Sequence, residues 1–203
     1  MTAASPIVLE PAAQQVADAF SKPPFWYDMT PAGARKVLEG AQSRPVSKLP
    51  VDEEWSTVPA QVGDARVRII RPQGATGTLP VVVYMRGGGW ITSPRGAMQW
   101  FWDAYTTDPA QRAEITASPN QASTEQVTAL PPTYLCVDEA DVPGDEGEAY
   151  AAKLRSAGVP VTTVRYNGTI HDFMLLDAPS ETRATRAAID QATAFLRAGL
   201  GTI

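Results

Sequence analysis

His171 is the chain's only histidine, and it stands in Gly168-Thr169-Ile170-His171-Asp172-Phe173, just behind a β-branched run. An imidazole is the side chain best suited to moving protons near neutral pH. It works best when a carboxylate sets its tautomer and orientation. Four carboxylates crowd one upstream segment: Asp138, Glu139, Asp141 and Asp145. Further upstream, Gly87-Gly88-Gly89 follows another apolar run. Consecutive glycines leave backbone N–H groups unshielded by any Cβ, so such a loop can aim two amides at a developing oxyanion. A base, an acid and oxyanion donors are three of the four parts of an acyl-transfer site. The fourth is a nucleophile, commonly carried on a Gly-x-Ser-x-Gly elbow. No serine in this chain has glycine two residues before and two after it.

Such residues need elements to hold them. Leu79 to Met85, Thr133 to Val137 and Val161 to Tyr166 are apolar, β-branched runs of the kind that form parallel strands covered on both faces. Between the last two, the pattern predicts a helix over Glu146 to Ala157, stopped by Gly158 and Pro160. Asp145 is expected to cap it, and Ser180 to cap a final helix in which Ile189, Ala192 and Phe195 face the core. Strand, helix, strand, helix with buried strands predicts a parallel sheet wound by right-handed crossovers. Nearer the start, helices are expected over residues 11–21 and after Thr30, with Pro31 opening the second. A hairpin is expected to pair Thr57–Val62 with Ala65–Ile70 across Gly63-Asp64.

Taken in order, Arg86-Gly87-Gly88-Gly89-Trp90, Val137-Asp138-Glu139-Ala140-Asp141-Val142-Pro143 and Tyr166 to Phe173 resemble three motifs of one family. They are similar to the oxyanion loop, acid and base of the hormone-sensitive-lipase-like esterase branch of the α/β-hydrolase fold family. The resemblance implies an α/β fold, with a parallel sheet, flanking helices and a short N-terminal helical cap. It implies His171 as base, Asp141 as acid with Asp138 as its competitor, and the amides of Gly88 and Gly89 as the oxyanion hole. It also implies a small-molecule ester as substrate and no cofactor.

The chain departs from that pattern twice. Arg86 stands where the family usually has histidine, and a guanidinium cannot accept a hydrogen bond. Residues up to Thr92 resemble the third strand and oxyanion loop, whereas those from Arg95 on, especially Trp100-Phe101-Trp102-Asp103-Ala104-Tyr105, resemble the helix after the sixth strand. The resemblance therefore implies an internal deletion with its junction near 92–93, which removes the nucleophile elbow and the central strands. The implied organisation is a cap of N-terminal helices over 1–45 and an incomplete hydrolase core over 46–203. Strands stripped of neighbours leave open sheet edges, a route to homo-oligomers. A carboxylic ester hydrolase by kinship, inactive or nearly so alone, is the resulting expectation. The alternative is a non-catalytic relic, or an assembly or binding module of the same descent.

Bulk properties narrow the field further. A net charge of −5 and a pI near 4.9 argue against nucleic acid or an anionic membrane as partner. Cys136, the single cysteine, excludes an intramolecular disulfide and reads as a small buried hydrophobe. One histidine and no cysteine pair predict no metal centre. Met1 to Leu9 lacks the basic and apolar regions of a signal peptide, and no run reaches the length of a membrane span, so a cytoplasmic protein is expected.

Overall fold

The computed structural model of the chain describes residues 6–59, 64–84 and 95–202. It divides into two compact units, Met1–Ser43 with Gly87–Ile203, and Arg44–Arg86. The fold is α/β.

In the larger unit the first two helices are α1 (Pro11–Phe20) and α2 (Pro31–Ala41). Each opens on a proline, whose missing N–H costs nothing in a first turn. Thr30 caps α2 by accepting a 3.2 Å hydrogen bond from the Gly33 amide. Ala13 and Val16 of α1 pack with Ile170 and Leu176, and Leu38 and Ala41 of α2 lie against the same cluster. The Glu10 amide donates to Gly168 O at 2.7 Å, tying the approach to α1 onto the segment that carries His171.

The smaller unit contains a hairpin of β1 (Val51–Val58) and β2 (Ala65–Pro72), antiparallel, with Val58 opposite Ala65. The hairpin is as expected, but its first strand starts at Val51 rather than Thr57 and ends before residues 60–63, which lie outside the described ones. Glu53 pairs with Arg68, Glu54 pairs with Arg71 at 3.5 Å, and the Arg66 guanidinium sits 4.2 Å from the Trp55 ring centre. These cross-strand contacts hold two strands that bury almost nothing.

The run from Leu79 to Tyr84 does not form the covered parallel strand its composition predicts. It pairs with no strand among the described residues, and Val81 and Val83 are 76% and 75% exposed. A β-branched segment becomes a buried strand only where neighbours supply both backbone partners and cover.

Returning to the larger unit, α3 (Arg95–Tyr105), α4 (Pro109–Arg112) and α5 (Thr124–Val127) lead into the sheet. Ser123 and Gln126 cap α5 reciprocally. Next, β3 (Thr133–Ala140) and β4 (Val161–Ile170) run parallel, joined by the crossover helix α6 (Gly144–Ser156). Gly158 ends the α6 connection at φ +82°, a conformation that glycine adopts freely. Asp145 is not the expected cap: α6 begins at Gly144, so Asp145 lies in its first turn, where its charge still suits the helix dipole. Likewise Thr182, not Ser180, caps the final helix α7 (Arg183–Leu200), accepting from the Thr185 amide at 3.3 Å. Ser180 instead donates to Asp177 O in the preceding turn.

Leu154 and Ala151 of α6 are 1% and 0% exposed, and Leu154 packs with Ala122, Val127 and Val159. The helix sits close to β3 because residue 147 is glycine. A Cβ there would meet Val137 Cγ1 at 2.8 Å. Valine is stiff at χ1 and cannot swing aside. Gly147→Ala therefore sets a helix-propensity gain of about 1 kcal/mol against an overpacking cost of about 1–3 kcal/mol. The net expectation is destabilisation by about 1 kcal/mol, read as a lower urea midpoint with unchanged slope. An unchanged or higher midpoint would show that β3 and α6 separate without cost.

Among the described residues no helix is long and apolar enough to cross a membrane.

Candidate functional site

The paired strands bring the chemistry together at one end. From Thr133↔Val161 to Asp138↔Tyr166 the register is regular; the next pair is Ala140↔Ile170, so two residues of advance on β3 face four on β4. Gly168, at φ +73°, takes up the excess, and its amide donates to Glu139 Oε2 at 2.8 Å. This irregularity extends β4 to Ile170 and puts His171 directly after the strand, rather than five residues beyond it as the sequence pattern suggests.

At that point the chain turns sharply. Asp172 adopts φ +61°, a left-handed conformation that aspartate tolerates better than most residues. The Phe173 amide donates back to Ile170 O at 3.1 Å, and the Phe173 ring is buried against Tyr166 and Ala188. The turn is thus anchored on both sides of His171.

Asp141 follows β3 by one residue and meets His171, with Nδ1 3.0 Å from Asp141 Oδ2. Both side chains are mostly buried, His171 at 15% exposure and Asp141 at 9%. The other ring nitrogen, Nε2, lies 3.6 Å from Asp172 Oδ1, and no hydroxyl group hydrogen-bonds to either nitrogen among the described residues. An imidazole held this way at Nδ1 presents Nε2 as the atom available for proton transfer.

Of the expected site residues, then, the structure brings Asp141 and His171 together, whereas Gly88 and Gly89, with Arg86, Trp90 and the junction at 92–93, lie outside the described residues. Asp138 is part of the same cluster. It lies on β3 at 5% exposure, and neither its Oδ1 nor Asp141 Oδ1 has a hydrogen-bond partner among the described residues. Burial, then the neighbouring Asp141 carboxylate and Asp172, push the Asp138 carboxyl up to about 8, with Arg165 opposing. The signal for it was a carboxylate closing a buried apolar strand, Leu135-Cys136-Val137-Asp138. Asp172, which the sequence pattern suggests is a packing and capping neighbour, sets its Oδ1 3.6 Å from Nε2.

A family model described as the alpha/beta hydrolase fold matches residues 91–175, the span that holds Asp138, Asp141 and His171. A protein of Acanthamoeba polyphaga mimivirus, assigned to the alpha/beta hydrolases, is 45% identical over 104 residues, covering 51% of this chain and 29% of that protein. An ethyl acetate hydrolase of Pseudomonas putida is 35% identical over 88 residues, 43% of this chain and 27% of that enzyme. This chain is therefore matched to less than a third of the length of either relative. Among solved structures, a thermostable esterase from Pseudomonas putida superposes with a TM-score of 0.84 at 27% identity, covering 98% of this chain and 99% of that one. The fold and site thus define a parallel α/β protein with a carboxylate and an imidazole paired at adjacent strand ends. The chain has the fold of the α/β hydrolases, residues 91–175 match that family's model, and its resemblances lie among esterases.

Proposed function

We propose that this chain descends from a carboxylic ester hydrolase of the hormone-sensitive-lipase-like branch and that, alone, it has little or no ester-cleaving activity. In this reading His171 is the proton-transfer base, Asp141 orients it, and the amides of Gly88 and Gly89 are the oxyanion donors. The helices of 1–45 are a cap, 46–203 an incomplete core with a deletion junction at 92–93, the protein is cytoplasmic, and a small ester would be its substrate if any turnover remained. The carrying observation is an oriented imidazole without an attacking alcohol. His171 and Asp141 are 3.0 Å apart, yet no hydroxyl hydrogen-bonds to the ring among the described residues and the sequence has no Gly-x-Ser-x-Gly. In such a site serine attacks the ester carbonyl while the histidine takes its proton. A fluorophosphonate probe, which phosphonylates activated serines, should leave the folded chain unlabelled. A stoichiometric adduct on any serine would reveal a nucleophile and end this reading.

A second reading, a non-catalytic relic or an assembly module, is favoured by the exposed run from Leu79 to Tyr84, where Val81, Val83 and Tyr84 are more than 70% exposed. Apolar segments of this kind seek a partner edge. Light scattering on a size-exclusion column tests it, since a stable monomer at high concentration contradicts an assembly role.

A further inference from the structure

We propose that Asp138, Asp141 and His171, two of them the residues read above as base and acid, form a binding site for a divalent transition-metal cation of the zinc type. One ligand atom from each of the three lies within 4.8 Å of the other two. Donors in a tetrahedral zinc site sit about 2.0–2.2 Å from the ion, hence roughly 3.3–3.5 Å from each other, so the cluster needs at most modest closure. The second observation is independent of that proximity. Asp138 is only 5% exposed, and its Oδ1 has no hydrogen-bond partner among the described residues. Asp141 Oδ1 is likewise buried and unpartnered, while Asp141 Oδ2 is engaged by His171. Orphan carboxylate oxygens in an apolar setting carry a desolvation cost of the kind a bound cation offsets.

The donor chemistry narrows the ion. An imidazole nitrogen beside carboxylate oxygens favours zinc or its transition-metal neighbours over magnesium, which prefers oxygen and water. Counting histidines and thiols along the chain predicts no metal; here buried carboxylates supply the remaining donors. At 15% exposure the His171 side chain leaves a path from solvent.

The test is calorimetric titration of the full chain, stripped by chelator, with zinc chloride near neutral pH. One saturable zinc per chain is expected, accompanied by a rise in melting temperature, because an ion that binds only the folded state stabilises it. Asp138→Asn, nearly isosteric, should weaken binding by about 10-fold or more, and His171→Gln should do the same. Asp190→Asn, on α7, should leave it unchanged. Circular dichroism confirms that each variant is folded, and His171→Gln carries the test should Asp138→Asn misfold. Absence of saturable heat, or zinc bound equally by wild type and His171→Gln, overturns the proposal. Neither result bears on the esterase reading, which the fluorophosphonate experiment decides separately.

Discussion

Purified chain offered p-nitrophenyl acetate should release nitrophenol at the background rate of buffer and surface side chains, and His171→Ala should leave that rate unchanged. The physical reason is the division of labour in a serine hydrolase. In that division histidine and aspartate serve the alcohol: they raise its nucleophilicity and hand its proton onward. Removing the nucleophile from such a set typically costs about 10⁶-fold in turnover, and removing the histidine as well costs little more, because the residues act as a unit. In this chain Nδ1 of His171 is engaged by Asp141, and Asp172 Oδ1, another acceptor rather than an attacking group, lies 3.6 Å from Nε2. Progress curves at several chain concentrations provide the measurement. Concentration-dependent hydrolysis that disappears in His171→Ala would mean that the imidazole activates water or an alcohol, contrary to the proposal.

Asp138→Asn should make the metal-free protein more stable at pH 8, with an advantage that shrinks as the pH is lowered toward 4. The sign follows from which state holds the proton. Burial and the adjacent Asp141 raise the folded-state pKa of Asp138 from 3.8 to about 8, so the folded protein keeps a proton that the unfolded chain releases over that range. Folded wild type therefore loses stability as pH rises, with the contribution of a neutral Asp138 complete below about 4 and gone above about 8. Asparagine keeps the shape and stays neutral throughout. A tenfold change in proton affinity between the two states corresponds to about 1.4 kcal/mol, so the advantage at pH 8 is on the order of a few kcal/mol. Urea melts of both proteins in chelator at several pH values measure it. A constant gap between the two, or a wild type more stable than Asp138→Asn at pH 8, would show that Asp138 is ionised at little cost in the folded state.

Much of this was legible from local sequence. Pro11, Thr30 with Pro31, and Gly158 marked helix boundaries where the structure has them, because caps and φ restrictions are decided within a turn of the residue concerned. Two candidates for a cap went to neighbours instead: Thr182 displaced Ser180, and α6 began one residue before Asp145. Such changes are settled by where the preceding chain docks, which no local pattern records.

By itself the sequence determined the α/β order of elements and the parallel partnership of the strands begun at Thr133 and Val161, which run on past Val137 and Tyr166 to Ala140 and Ile170. Asp141 and His171 were picked out by the resemblance of their motifs to a family's. Periodicity and breakers are properties of neighbouring residues, and they suffice for the elements; the pair of site residues needed the resemblance. Only the tertiary structure decided that Asp138 joins the pair, that the β4 irregularity sets His171 hard against the strand end, and that Val81 to Tyr84 stays exposed. Each of these depends on which distant segment supplies cover or a backbone partner, and a strand's composition states its need for partners without saying whether the rest of the chain provides them.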